Sequence, residues 1–231
     1  MRDFYLSKEY LQRNPTWHVE DSAWKAHKVL ALLKKHKVVP RTICEIGCGA
    51  GEILAELHRQ MPPTTVFRGY EVSPHAYELC MSRARDRLEF VLGDFALLGD
   101  RVYDLALVLD VLEHVDDCSA FLRGVKANAQ QVVFHIPLDL SVSAVLREAP
   151  LLRARRGSGH VHFFTKQLAL EVLTESGFSV IDCELTSGAI ELPARGMGAK
   201  LMYVPRKAAS AVNCEWAARV LGGFSLLVLA T

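Results

Sequence analysis

Glu45-Ile46-Gly47-Cys48-Gly49-Ala50-Gly51 follows a short apolar run, Thr42 to Ile46, and precedes an amphipathic stretch carrying Ile53, Leu54 and Leu57. Glycines at the handover from a strand to a helix let the backbone turn sharply and approach a ligand closely. The spacing is GxGxG, with an acid two residues before the first glycine, where the dinucleotide fingerprint would read GxGxxG. A carboxylate so near the loop repels a pyrophosphate but can hold a cationic ligand, directly or through water.

Outward from this loop, strand and helix signals alternate. Upstream, Ala23, Trp24, His27, Leu30, Ala31 and Leu33 recur at helical spacing from about Glu20 to Lys37, between Asp21-Ser22 and Pro40. Downstream, Val66 to Val72 reads as a strand, and Ser73-Pro74 opens a helix with serine as N-cap and proline at the first helical position. Leu88 to Leu92, Tyr103 to Leu109 and Gln131 to Ile136 are further strands, with a helix near Ser119–Ala127. Helices over Val142–Arg153 and Lys166–Ser176 follow, then strands Phe178–Leu185 and Phe224–Ala230. Strands that are apolar nearly throughout and alternate with helices predict a doubly wound, mostly parallel α/β sheet covered on both faces. Residues 186–222 break the alternation with Gly188, Pro193, Gly196, Gly198 and Pro205 before a short helix near Ala208–Leu221. So long a connection reads as a lid-like or substrate-binding insertion.

Three further acids fall at strand ends: Glu71, Asp94 and Asp110. Open parallel sheets bind ligands at the carboxyl ends of their strands, so these acids and Glu45 converge on one crevice. Glu71, about 20 residues beyond the loop, can accept hydrogen bonds from both hydroxyls of a ribose. S-adenosylmethionine carries a sulfonium, an ammonium and a ribose, and the acid set favours it over NAD.

The same residues carry a family resemblance. Ile43 to Gly51, Gly69-Tyr70-Glu71-Val72-Ser73, Gly93-Asp94-Phe95 and Tyr103 through Leu109-Asp110-Val111-Leu112-Glu113-His114-Val115 resemble a class I S-adenosylmethionine-dependent methyltransferase of the type 11/23 kind. His160-x-x-Phe163-Phe164-Thr165 and Glu175-Ser176-Gly177-Phe178 extend the likeness over roughly residues 40–185, and Gly222-Gly223-Phe224 resembles the start of the family's antiparallel last strand. The resemblance implies a Rossmann-like seven-stranded sheet in a methyltransferase domain over 40–231, preceded by an N-terminal helical lid or strap over 1–39. It implies that Glu45 and the loop residues Gly47, Cys48, Gly49 and Gly51 hold the methionine end. Glu71 would take the ribose hydroxyls, Asp94 the adenine amino group, and Val72 and Phe95 would pack on the adenine ring. Asp110, Val111 and Leu112 would line the methionine side. Glu71 stands where the family more often has aspartate, which keeps the acceptor on a longer arm.

The methyl acceptor is read less directly. Methyl transfer is an in-line displacement that depends on alignment, and a base helps when the acceptor is a hydroxyl. His160, in the glycine-flanked Gly157-Ser158-Gly159-His160, is the first candidate base. His114 touches cofactor or caps its loop, and His135 either points into the cleft or is a satisfied core histidine. Asp139 is a candidate for acceptor contacts, as are Trp17 and His18 in an aromatic and polar segment before the first helix. That segment either closes over the site as a lid or packs onto the sheet as a strap. With 186–222 it makes a modest pocket, which favours an oxygen or nitrogen of a small molecule, sugar or lipid-linked glycan. A non-catalytic cofactor-binding or regulatory protein, and an RNA or protein methyltransferase, are the alternatives.

Bulk properties exclude several classes. The 231 residues are half hydrophobic, and 26 acids nearly cancel 27 bases without a basic stripe, so duplex DNA is not an expected partner. An asparagine-proline-proline-tyrosine motif, typical of base-amine transfer, is absent after the fourth strand. The six cysteines lack CxxC pairing, and no Cys/His cluster shows metal-ligand spacing, so no metal is expected. Free thiols without a signal-like or roughly 20-residue apolar segment predict a cytoplasmic protein without a membrane span.

Overall fold

The computed structural model describes residues 14, 16–17, 19–95, 101–193 and 197–231. Its centre is one seven-stranded sheet in the order β3-β2-β1-β4-β5-β7-β6. The strands are β1 Thr42–Ile46, β2 Val66–Glu71, β3 Leu88–Leu92, β4 Tyr103–Leu109, β5 Ala129–Pro137, β6 Val180–Thr186 and β7 Ser225–Ala230. β1 to β5 run parallel, while β7 is antiparallel to both β5 and β6.

Side chains alternate across a strand, and here both faces are apolar, so each central strand feeds two cores. Cys44, Ile46, Ala106, Val108, Val132, Phe134 and Ile136 face one way, against Leu122 and Val125 of α4 (Cys118–Ala127) and Ala169 and Leu173 of α7 (Lys166–Glu175). Ile43, Leu105, Leu107, Leu109 and Val133 face the other way. They meet α1 (Ser22–Lys35) through Ala26, Val29, Leu32 and Leu33, and α2 (Glu52–Gln60) through Leu54, Ala55 and Leu57. The helix read from residues 20–37 thus belongs to the same packed body as the sheet. α3 (Pro74–Met81) begins at the expected proline.

Two helical readings differ from the structure. The helix expected over Val142–Arg153 is two helices, α5 (Val142–Arg147) and α6 (Ala149–Arg153), separated at Glu148 with φ 53°. Pro150 is the reason, since its ring and missing N–H are tolerated only in the first turn of a helix. Residues 186–222 are largely helical: α8 (Gly188–Glu191), α9 (Met197–Val212) and α10 (Cys214–Leu221). The single helix expected over 208–221 is divided at Asn213, whose side chain accepts a hydrogen bond from the Trp216 N–H and so caps α10.

The sheet order reverses between β1 and β4, which lie side by side with Ile46 opposite Val108. Their following connections run to opposite faces, and the gap left at their carboxyl ends is where a ligand fits. No helix among the described residues is long and apolar enough to cross a membrane.

Candidate functional site

A cavity of about 530 Å³ opens at that reversal point. The glycine loop forms one wall, and its backbone is left-handed at Gly47 (φ 71°), Gly49 (φ 55°) and Gly51 (φ 76°). Two positions show why the sequence needs glycine there. A Cβ on Gly47 would lie 2.8 Å from Val111 Cγ2, and one on Gly51 would lie 2.6 Å from the Phe90 ring. Both are far inside contact distance, and the φ values already disfavour any L side chain.

Four of the loop's N–H groups, those of Gly47, Cys48, Gly49 and Gly51, bond within the protein. Gly47 and Cys48 donate to the Tyr70 carbonyl at 2.9 and 3.1 Å, and Gly51 donates to the Cys48 carbonyl at 2.8 Å. Gly49 donates to Glu71 Oε2 at 2.8 Å, while Ser73 N–H donates to Glu71 Oε1 at 2.8 Å. A phosphate-binding loop directs such amides at its ligand. Here the amides of Gly47, Cys48 and Gly49 hold the loop to β2, and Glu45 is among the residues that line the cavity beside it.

Glu45 is 2% exposed, and its Oε2 has no hydrogen-bond partner among the described residues. Burial pushes its carboxyl up to about 8, against the pull of Lys25 and with a further push from Glu71. Burial also raises Glu71 to about 7, although the amides of Ser73 and Gly49 favour its charged form. An orphaned carboxylate beside a second acid is electrostatically short of a cation.

The chain's own nearby cation is Lys25 of α1, whose importance the sequence did not signal. Its Nζ lies 2.5 Å from Asp110 Oδ2, within the cavity wall. Asp110, held at φ 55°, places its other oxygen 2.6 Å from His135 Nδ1. Burial opposes ionisation of Asp110, but Lys25 and His135 outweigh it and hold the carboxyl well below the usual range.

The expected site residues distribute as follows. Glu45, Gly47, Cys48, Gly49, Glu71, Val72, Asp94, Phe95, Asp110 and Val111 line the cavity, as do Trp17, His114 and His160. Gly51 shapes the loop from behind as the residue preceding α2. Leu112 is 1% exposed and packs in the apolar core, outside the cavity lining. His135 is a satisfied buried histidine: it contacts Asp110, and its Nε2 lies 3.0 Å from Thr186 Oγ1. His18 lies outside the described residues.

Asp139 does not line the cavity but backs a residue that does. Its Oδ2 lies 2.7 Å from His160 Nδ1. A carboxylate on Nδ1 favours the tautomer that carries its proton there, which leaves the Nε2 lone pair available. His114 stands beside it, ring centroids 4.9 Å apart and edge-to-face. Burial, with the neighbouring His160, lowers His114 to about 4. Glu113, between Asp110 and His114 in sequence, is buried in the same wall. The segment bearing His160 is fixed by Val161 and His162, whose N–H groups donate to the Glu113 carbonyl at 2.7 and 3.1 Å. His162 itself is occupied structurally, with Nε2 at 2.8 Å from the Val115 carbonyl.

Comparison with known proteins agrees with this architecture. A family model described as a methyltransferase domain matches residues 17–182. Magnesium protoporphyrin IX methyltransferase from Synechocystis PCC 6803, crystallised with bound SAH, is 18% identical, with a TM-score of 0.66 over 99% of this chain and 96% of that one. N-methyltransferase NodS from Bradyrhizobium japonicum WM9, in complex with S-adenosyl-l-homocysteine, is 16% identical with a TM-score of 0.59, covering 99% of this chain and 95% of that one. The StiE O-MT structure is 17% identical with a TM-score of 0.60, covering 89% of this chain and 72% of that one. No curated protein matches the sequence.

Proposed function

The chain belongs to the methyltransferase domain family, and from that premise we propose that it transfers the methyl group of S-adenosylmethionine to an oxygen or nitrogen of a small molecule, sugar or lipid-linked acceptor. The observation that carries the donor assignment is Glu45, a buried carboxylate with an unpartnered oxygen, on a residue that lines a cavity at the sheet's reversal point. The donor's ammonium supplies the missing cation. In this reading Glu71 takes the ribose hydroxyls, Asp94 the adenine amino group, and Val72 and Phe95 pack on the adenine ring. The amides of Gly47, Cys48, Gly49 and Gly51 have internal partners, so in this reading the loop backbone shapes the pocket while Glu45 provides the charge.

His160 lies at the acceptor end of this reading. Its lone pair, oriented by Asp139, assists removal of the acceptor's proton as the methyl group arrives. Trp17 and Val19, ahead of α1, line the cavity, and the 186–222 insertion packs against α1. α8 meets α1 through Glu191, whose Oε2 accepts from Trp24 Nε1 at 3.1 Å and lies 2.6 Å from Lys28 Nζ. A cavity of about 530 Å³ suits a small acceptor group better than a folded macromolecule.

The raised Glu45 carboxyl makes the assignment testable through proton release. In the empty site the group holds its proton up to about pH 8. An arriving ammonium favours the ionised form, so binding at pH 7 expels a proton. Calorimetry at pH 7 in buffers of different ionisation enthalpy is expected to give buffer-dependent binding heats, and the dependence should fade above about pH 9. Buffer-independent heats at pH 7 would contradict the pairing.

A further inference from the structure

The acceptor end of the cavity holds one arrangement that methyl transfer alone does not require. Glu113, His114 and His160 each offer one ligand atom, and these atoms lie within 4.8 Å of one another. They come from two parts of the chain, the turn Leu112–His114 and the segment after the single π turn Ala154–Ser158. The Glu113 carbonyl bonds to Val161 and His162, so the two parts are held in register.

Glu113 supplies the second, independent observation. It is 1% exposed, and neither side-chain oxygen has a hydrogen-bond partner among the described residues. A buried carboxyl group left without hydrogen bonds is costly, and native sites rarely retain one without a use. The group nearest in kind is His114, whose Nε2 lies 3.7 Å from Glu113 Oε1, beyond hydrogen-bond reach. His160 has the outer support typical of a metal-bound imidazole, with Asp139 on Nδ1 and Nε2 left over.

We propose that Glu113, His114 and His160 bind a first-row divalent cation, with Zn²⁺ the best fit, at the acceptor end of the cavity. Two imidazoles and one carboxylate are a donor set of catalytic zinc sites, with the remaining position left open. Imidazole ligands suit such ions, whereas Mg²⁺ prefers oxygen donors throughout. The inference deepens the methyltransferase reading and rests on it for the acceptor's position. With His160 Nε2 on the cation, that lone pair no longer takes the acceptor's proton. An acceptor hydroxyl at the open position would instead lose its proton to solvent more readily. Its oxygen then forms the new bond to the methyl carbon while the carbon–sulfur bond breaks, and the sulfonium becomes the neutral thioether of S-adenosylhomocysteine. No further reagent is required.

The test is titration of the metal-free full chain with Zn²⁺ by calorimetry and with Co²⁺ by absorption. One equivalent is expected, with visible Co²⁺ bands and no near-ultraviolet thiolate charge-transfer band, since no cysteine belongs to the cluster. Glu113→Gln keeps the side-chain volume and His160→Ala changes a side chain outside the core. Each is expected to weaken Zn²⁺ binding at least about tenfold, and Asp139→Asn about tenfold through the orientation of His160. Absence of stoichiometric binding, a thiolate band, or unchanged affinity in His160→Ala would overturn the site. S-adenosylhomocysteine affinity measured on the same preparations separates the two readings. Donor-product binding without cation binding overturns this inference alone, and cation binding without donor-product binding overturns the donor assignment.

Discussion

Glu45→Gln is expected to weaken S-adenosylmethionine binding about 100-fold, close to 2.8 kcal/mol, while leaving the fold intact. Glutamine keeps the size of the side chain and removes the charge that the ammonium would meet. Because Glu45 is 2% exposed with an unpartnered oxygen, little solvent screens the lost interaction. Stability should move the other way. The folded-state carboxyl rises from the ordinary 4.5 to about 8, so its contribution is fully present below about pH 4.5 and is lost as pH rises toward 8. The glutamine variant lacks that titration and should lose less stability than the parent between pH 5 and 8. Calorimetric affinity and thermal denaturation across that range check both parts. Unchanged affinity would remove Glu45 from the donor site.

The second large effect is at the opposite end. His160→Ala is expected to lower kcat for a hydroxyl acceptor about 100-fold or more, with donor affinity unchanged. The direction follows from position: His160 lines the cavity, and Asp139 fixes its Nδ1 at 2.7 Å, so loss of the ring removes the lone pair without touching the glycine loop. A steady-state comparison with a matched acceptor separates kcat from the donor KM. Equal turnover in the variant would show that the acceptor needs no help from this residue.

Much of the cavity wall was legible because its signals are local in sequence. Alternating glycines after an apolar run, an acid two residues before them, and acids at the ends of successive strands each reflect one strand–helix handover. A parallel sheet then brings those handovers to one edge, as the pairing of Glu45 with Gly69 and Leu107 shows. The side chain of Leu112, expected on the methionine side, takes the other face of its turn, which a motif position does not fix. In the structure it joins the core.

What the sequence did not reveal depends on long-range contact. Lys25 reads as a polar residue on an amphipathic helix, and only packing of α1 brings it to Asp110. The internal use of the loop amides depends on where β2 places the Tyr70 carbonyl and the Glu71 carboxylate. The proximity of Glu113 and His114 to His160 spans more than 40 residues, so no ligand-spacing rule could have flagged it. Two missed breaks were present in local chemistry: Pro150 restricts α6 to start where it does, and Asn213 caps α10.

The central claim is that the cavity recognises a cationic adenosyl ligand through Glu45 and rejects a pyrophosphate-bearing one. Calorimetric titration of the full chain with S-adenosylmethionine, S-adenosylhomocysteine and NAD tests it most directly. The two adenosyl ligands are expected to bind one per chain, since both carry the ammonium, and NAD is expected not to bind. Stoichiometric NAD binding, or no binding of either adenosyl ligand, would contradict the account.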